Sequence, residues 1–314
     1  MVAMPAMAAE KTLRISLQLP LKHHLGQNLL DFKKEVEAKT KGALKIEIYP
    51  SAQLYKDKAV PQAVASGAIE MGVASLTRFA GTIPAADLFY VPFLFKDSET
   101  IRKATAPGSS VRSPLDAAIL KTGARVLWWQ AFGGAVILSH GAPITKPEQM
   151  KGKKVRVFGK TIGEFVKAVG GAPTMMSGSK QFLAYQRGTV DVGMTGITAV
   201  PSRKLYQVME YASLTNHADV EFLVLINEKI WKGLSGSQQK IITKAAQRVE
   251  KELRNKIDEL EATARKEAGK HMKIVEISGE DRKAWIKATR SVVDTYIKNA
   301  GPLGAQLVEA AGKL

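Results

Sequence analysis

The 314-residue chain contains no cysteine. That excludes a disulfide framework, a thiolate nucleophile and any Cys-ligated zinc or iron–sulfur centre. No apolar run approaches the roughly 18 residues needed to cross a bilayer, and the mixed charge argues against a membrane protein. Acidic residues are scarce: 29 Asp and Glu stand against 46 Lys and Arg, giving a formal net charge of +17. The excess is dispersed, with no block of five or more basic residues, and pairs such as Lys33-Lys34 sit beside acids such as Glu35. A solvated basic surface is the simpler reading, and a polyanion- or partner-binding module is the alternative. What is plentiful is apolar residues, at 45%. That excludes wholesale disorder and, at this length, suggests one large or two moderate domains.

Motifs that carry catalysis are also missing. No HExxH, GxSxG or GxGxxG pattern occurs. Gly159-Lys160-Thr161 has the ending of a phosphate-binding loop, but Lys154 stands where its first glycine is required. The histidines at 23, 24, 140, 217 and 271 lack metal-ligand spacing. The expectation is therefore no enzyme, no metal and no cofactor.

Met1 to Ala9 is small and apolar and ends in Ala6-Met7-Ala8-Ala9, the kind of pattern a signal peptidase leaves. It reads as the tail of an export signal or as a cloning remnant. Strand-like alternation over Leu13–Leu19, helical periodicity over Gly26–Lys39, a strand over Leu44–Tyr49, a short helix over Asp57–Ser66 and a strand over Ile69–Ser75 follow in turn. Alternating strands and helices predict βαβ units and a largely parallel sheet. The pattern then repeats. Lys151 to Phe158 echoes Lys41 to Ile48, and Gly188 to Thr195 echoes Gly67 to Ala74. Two α/β domains of similar build are the economical inference.

Ser235 with Gln238 forms a capping-box signature, and apolar residues from Ile241 to Ala268 recur at helical spacing without Pro or Gly. A helix of about 30 residues reaches ~45 Å, long enough to span two domains or to pair with a partner. A strand over Lys273–Ile277 and a last helix over Glu280–Asn299 complete the prediction.

Two facing α/β domains place a ligand beyond the carboxyl ends of their strands. Ser75 and Thr195, at equivalent strand ends, then share one crevice with Gln18. Arg156 lies between Val155 and Val157 in a half-buried strand, on the same side as Phe158. A buried guanidinium needs a carboxylate. No acid lies near it in sequence, so a ligand carboxylate is the sharper reading and a distant internal acid the other. An enzyme using Arg156 merely to orient a substrate would need a base, and no residue pair suggests one.

Several spaced motifs then occur in a familiar order. They are Glu35 to Gly42 with Tyr49-Pro50-Ser51-Ala52-Gln53-Leu54, Val91-Pro92-Phe93-Leu94-Phe95, Met150 to Val157, Gly188-Thr189-Val190-Asp191, Tyr211 to His217 and Ile226 to Trp231. Through them the chain, from about Leu13 to about Ala300, resembles the solute-binding proteins of tripartite ATP-independent periplasmic (TRAP) transporters. The resemblance implies an α/β clamshell of two domains with a long helix spanning both. The domains would be 10–133 with 222–261, and 134–221 with 262–314. It implies a periplasmic, monomeric protein that delivers a small organic acid to membrane permease subunits and binds no nucleic acid.

The family's carboxylate-binding arginine falls on Arg156. Its other pocket positions fall on Gln18, Ser75, Arg78, Val136, Gly159, Met176, Gly178 and Thr195, with His217 as pocket or hinge. Where many relatives carry a second arginine this chain has Val136. With Gly159 and Gly178 that implies a roomier, more apolar pocket. The expected ligand is a monocarboxylate with an apolar or aromatic body, such as a 2-oxo or 2-hydroxy acid. Trp128, Trp129, Phe132, Phe158 and Phe182 are the candidate stacking faces.

Overall fold

The computed structural model describes residues 10–314, so the apolar segment Met1–Ala9 lies outside the described residues. Ten strands carry the architecture: β1 (Lys11–Ser16), β2 (Leu44–Tyr49), β3 (Met71–Ser75), β4 (Ala124–Ser139), β5 (Lys154–Val157), β6 (Ala172–Met175), β7 (Val192–Gly196), β8 (Tyr211–Leu214), β9 (Asp219–Asn227) and β10 (Lys273–Glu276). Their order is β2-β1-β3-β9-β4-β7-β5-β6, with β8 pairing β4 and β10 pairing β8.

The expected parallel pairing is present at both ends of this path, β1 with β2 and β3, and β5 with β6 and β7. The middle differs from the expectation, because β9 and β4 run antiparallel to their neighbours. The 16-residue β4 explains the two halves. It pairs with β9 up to Gly134 and with β7 from Ala135 onward, after a register shift between Ala131 and Gly133. One strand thus crosses from the first sheet into the second.

The sequence echo is half topological. β3 and β7 occupy equivalent places, each between a parallel and an antiparallel neighbour. β5, however, corresponds to the central β1 rather than to the edge strand β2 that it echoes. Hydrogen bonding sets Ser16 beside Gly72 and Arg156 beside Gly193. The arginine therefore occupies in the second half the position that Ser16 holds in the first.

The long helix runs from Gly236 to Ala268, started by the Ser235–Gln238 capping box. It packs on both the first helix, His24–Lys39, and β4. Ile242, Val249 and Leu253 join the main core, and Ala264 and Ala268 the second cluster. One amphipathic stripe thus serves both halves. The single last helix expected over Glu280–Asn299 is instead two, Gly279–Thr289 and Ser291–Gly312, the latter kinked at Gly301. Gly301 leaves the helical region at φ +63°, so two helical segments meet there, and Pro302, which lacks an N–H, opens the second. This terminal helix packs on both Pro84–Tyr90 and Lys160–Ala168. Among the described residues no helix is long and apolar enough to cross a membrane.

Candidate ligand-binding cleft

The two halves meet along a cleft beyond the carboxyl ends of β1, β3, β5 and β7. Arg156, next to last on β5, is 3% exposed. Its Nη2 donates to the Met176 carbonyl at 3.1 Å and its Nη1 donates to the Met194 carbonyl, while Nε is buried without a partner. No carboxylate pairs with it among the described residues. The Phe158 ring lies 5.5 Å from its Cζ, on the same side of the strand. Burial lowers the guanidinium to about 10, still cationic at neutral pH.

The cavity beside it is lined by Gln18, Ser75, Arg78, Phe158, Thr195 and Gly178, as read from the sequence, and also by Asp57, Phe132, Arg203, Val220 and Phe222. Asp57 is fully buried and organises one wall. It accepts the Ser75 backbone N–H at 3.0 Å, the Ser75 hydroxyl at 3.1 Å and the Arg78 guanidinium. Ser75 and Arg78 therefore spend donors on an internal acid, whereas Arg156 does not. Arg203 is half-buried, and its Nη2 reaches Gln18 Oε1 at 3.4 Å from the opposite half. Three guanidinium groups (Arg78, Arg156, Arg203) against one carboxylate (Asp57) leave two positive charges uncompensated at the cleft.

Other expected positions lie elsewhere. The Met176 carbonyl holds Arg156, but its side chain packs on the second hydrophobic cluster with Phe182. Val136 is buried in that cluster, opposite Thr195 on β7. His217 lies at a different cavity near the crossing strands, with Nδ1 2.7 Å from Thr215 Oγ1 and its ring stacked on Phe165. Of the candidate stacking rings, Phe132 and Phe158 line the cleft. Trp128 and Trp129 are core residues whose indole N–H groups donate to Asn28 and Asp116.

The roomier pocket expected from the two glycines is not what the structure contains. A Cβ on Gly159 would stand 2.2 Å from Thr77 Oγ1, and one on Gly178 would stand 2.3 Å from Arg203 Nη1. The space those glycines leave is filled by side chains packed against them.

The halves are in contact around this cavity. Gln18 Oε1 also accepts from Ser177 at 3.5 Å, and His23 Nε2 lies 3.3 Å from Thr198 Oγ1. The Asp87 carboxylate accepts the Thr161 backbone N–H at 3.0 Å, at the start of the helix that follows β5.

A charged cleft between two linked α/β halves matches the comparisons. The model of the bacterial extracellular solute-binding protein family 7 matches residues 15–299. The chain belongs to that family. It is 31% identical over 285 residues to the 2,3-diketo-L-gulonate-binding periplasmic protein of Escherichia coli, covering 89% of this chain and 84% of the relative. It is 29% identical to the C4-dicarboxylate-binding periplasmic protein of Rhodobacter capsulatus, covering 99% and 93%. Among solved structures, a sugar-acid-binding protein of Advenella mimigardefordensis in complex with galactonate superposes with a TM-score of 0.92 at 23% identity, covering 98% of this chain and 99% of that one. A TRAP periplasmic solute-binding protein of Polaromonas bound to D-erythronate superposes at 0.89 with 26% identity, covering 96% and 98%. The two-domain clamshell read from the sequence is this family's fold. This TRAP receptor is a periplasmic solute-binding protein for organic acids and not an enzyme, and its kind hands ligand to a membrane permease.

Proposed function

We propose that this receptor captures a small organic acid whose carboxylate pairs with Arg156, and that closure of the two halves over the pair presents the loaded form to the permease. One observation carries the reading. Arg156 is a buried guanidinium that no acid pairs with among the described residues, and its Nε is unpartnered. A buried charge of this kind is costly unless paired, and a carboxylate fits its planar fork. Closure excludes water and strengthens the attraction.

The cleft divides at the crossing in β4, in keeping with lobes built from 10–133 with 222–261 and from 134–221 with 262–314. Phe132, Phe158, Val220 and Phe222 give it apolar walls. These support the apolar or aromatic 2-oxo or 2-hydroxy acid body expected from the sequence.

The test is a thermal-shift panel of organic acids followed by calorimetry on the best binder. Ligand should raise the melting temperature in proportion to the logarithm of its concentration once saturating. Arg156→Gln should cost at least ~2 kcal/mol of affinity, the scale of a charge-assisted hydrogen-bonded pair. Unchanged affinity in that variant would remove Arg156 from the binding site.

A further inference from the structure

Arg156 reaches the cleft from one face of the second sheet, where its neighbours on either side differ. Its register partner is Thr174 on β6 and Gly193 on β7, and residues paired in register project from the same face. Thr174 therefore flanks the arm on one side. Gly193 offers no side chain on the other, and its place is taken by Tyr185, from the helix Gln181–Gln186. A Cβ on Gly193 would overlap the Tyr185 hydroxyl and Cζ and stand 2.7 Å from Cε1. The phenol thus stands where a residue-193 side chain would be. It is itself held: Tyr185 is buried, and its hydroxyl donates at 3.2 Å to Oε1 of the fully buried Gln181, one turn back on the same helix. Burial pushes the phenol up to about 12, so it stays neutral beside the cation.

Tyr185 does not line the cleft. It borders a separate cavity, with Ser139, Asp191 and Glu210, so its route to a ligand runs through the arm. The guanidinium ends on two backbone carbonyls and its Nε has no partner. Packing must then keep a long flexible stem from swinging over Gly193. An arm fixed before the ligand arrives loses less freedom on binding. We propose that Tyr185, seated in the notch left by Gly193, is a positioning residue that presets Arg156 for the ligand carboxylate. The proposal rests on Arg156 as the ligand's anchor.

The experiment uses the whole chain and two readouts. Calorimetry follows the tightest binder among succinate, 4-methyl-2-oxopentanoate and phenylpyruvate. Independently of any ligand, NMR of arginine-labelled protein follows the Arg156 Nε–H, assigned by its loss in Arg156→Gln. Tyr185→Leu, which empties the notch, should weaken binding about five- to tenfold, the cost of ordering one long side chain. It should also speed exchange of that Nε–H with water. Tyr185→Phe keeps the ring as a wall and should stay within about threefold of wild type. Gly193→Ala should match Tyr185→Leu, and the two together should be no worse than either alone, because both act on one contact. In the Arg156→Gln background Tyr185→Leu should change affinity by less than about twofold. Wild-type affinity and wild-type exchange in folded Tyr185→Leu or Gly193→Ala overturn the proposal, as does an equal loss with and without Arg156. Gly193→Ala decides the matter if Tyr185→Leu fails to fold, and the exchange rate decides it if none of the three acids binds. Unchanged affinity in Arg156→Gln is a different failure: it removes the anchor, even where the Nε–H still responds to Tyr185→Leu.

Discussion

The backbone of Gly159 lies directly against Thr77, so that a Cβ on the glycine would stand 2.2 Å from the threonine Oγ1 and 3.2 Å from its Cβ. The two residues belong to opposite halves, one at the end of β5 and the other just after β3. Their approach joins the two halves across the cleft. Gly159→Ala should therefore tax closure more than folding. Overpacking of this kind costs about 1–3 kcal/mol, which corresponds to roughly 5- to 150-fold in affinity when it falls on the liganded state. The expected result is weakened binding of the best acid with a nearly unchanged melting temperature for the unliganded protein, and a larger radius of gyration at saturating ligand. Wild-type affinity would show that the halves shut without this contact.

Asp57 is the structural acid of the cleft wall, fully buried and bonded to both Ser75 donors and to Arg78, whose side chain is 7% exposed. Asp57→Asn leaves Arg78 buried without its counter-charge. Breaking a buried pair from one side costs about 3–5 kcal/mol, so denaturant titration should show a loss of that order. Replacing both partners, Asp57→Asn with Arg78→Met, should recover part of it. A double variant no more stable than the single one would mean that the carboxylate matters through the Ser75 N–H alone.

Much of this was legible in the sequence because local pattern and burial agree there. The alternation of Leu44–Tyr49 gave β2 to the residue, and the apolar stripe beyond Ser235 gave the long helix, because each buries one face. β4 and β9 are buried along nearly their whole length, so neither shows the polar–apolar alternation that marks a strand. The antiparallel crossing they form was therefore invisible. Arg156 stood out as a charge inside an apolar strand. Arg203 did not, since beside Lys204 it reads as an ordinary basic surface pair. Asp57, between Lys56 and Lys58 at the start of the expected short helix, carries no mark of burial in the sequence. Both are drawn inward by contacts distant in sequence, Gly178 for one and Ser75 with Arg78 for the other. Only the fold supplies those.

His217 has no exposure to solvent, and its Nε2 is buried without a partner. Burial alone lowers its pKa to about 3 from an ordinary value near 6.5. The sign follows from which state takes the proton first. As pH falls below about 6.5 the unfolded chain protonates this imidazole and the folded one does not, so stability is full above that pH and is lost as pH descends toward about 3. The slope is about 1.4 kcal/mol per pH unit for one such group. Buried acids with raised values, Asp87 and Asp219 among them, act in the opposite direction over part of this range. The comparison must therefore be made between variants. Stability measured by denaturant at pH 7.5 and at half-unit steps down to 4.5 should fall more steeply for the wild type than for His217→Gln, the two curves converging by about that slope. Parallel curves would mean that the folded protein protonates His217 as readily as the unfolded chain, through an opening of the crossing strands that brings water to Nε2.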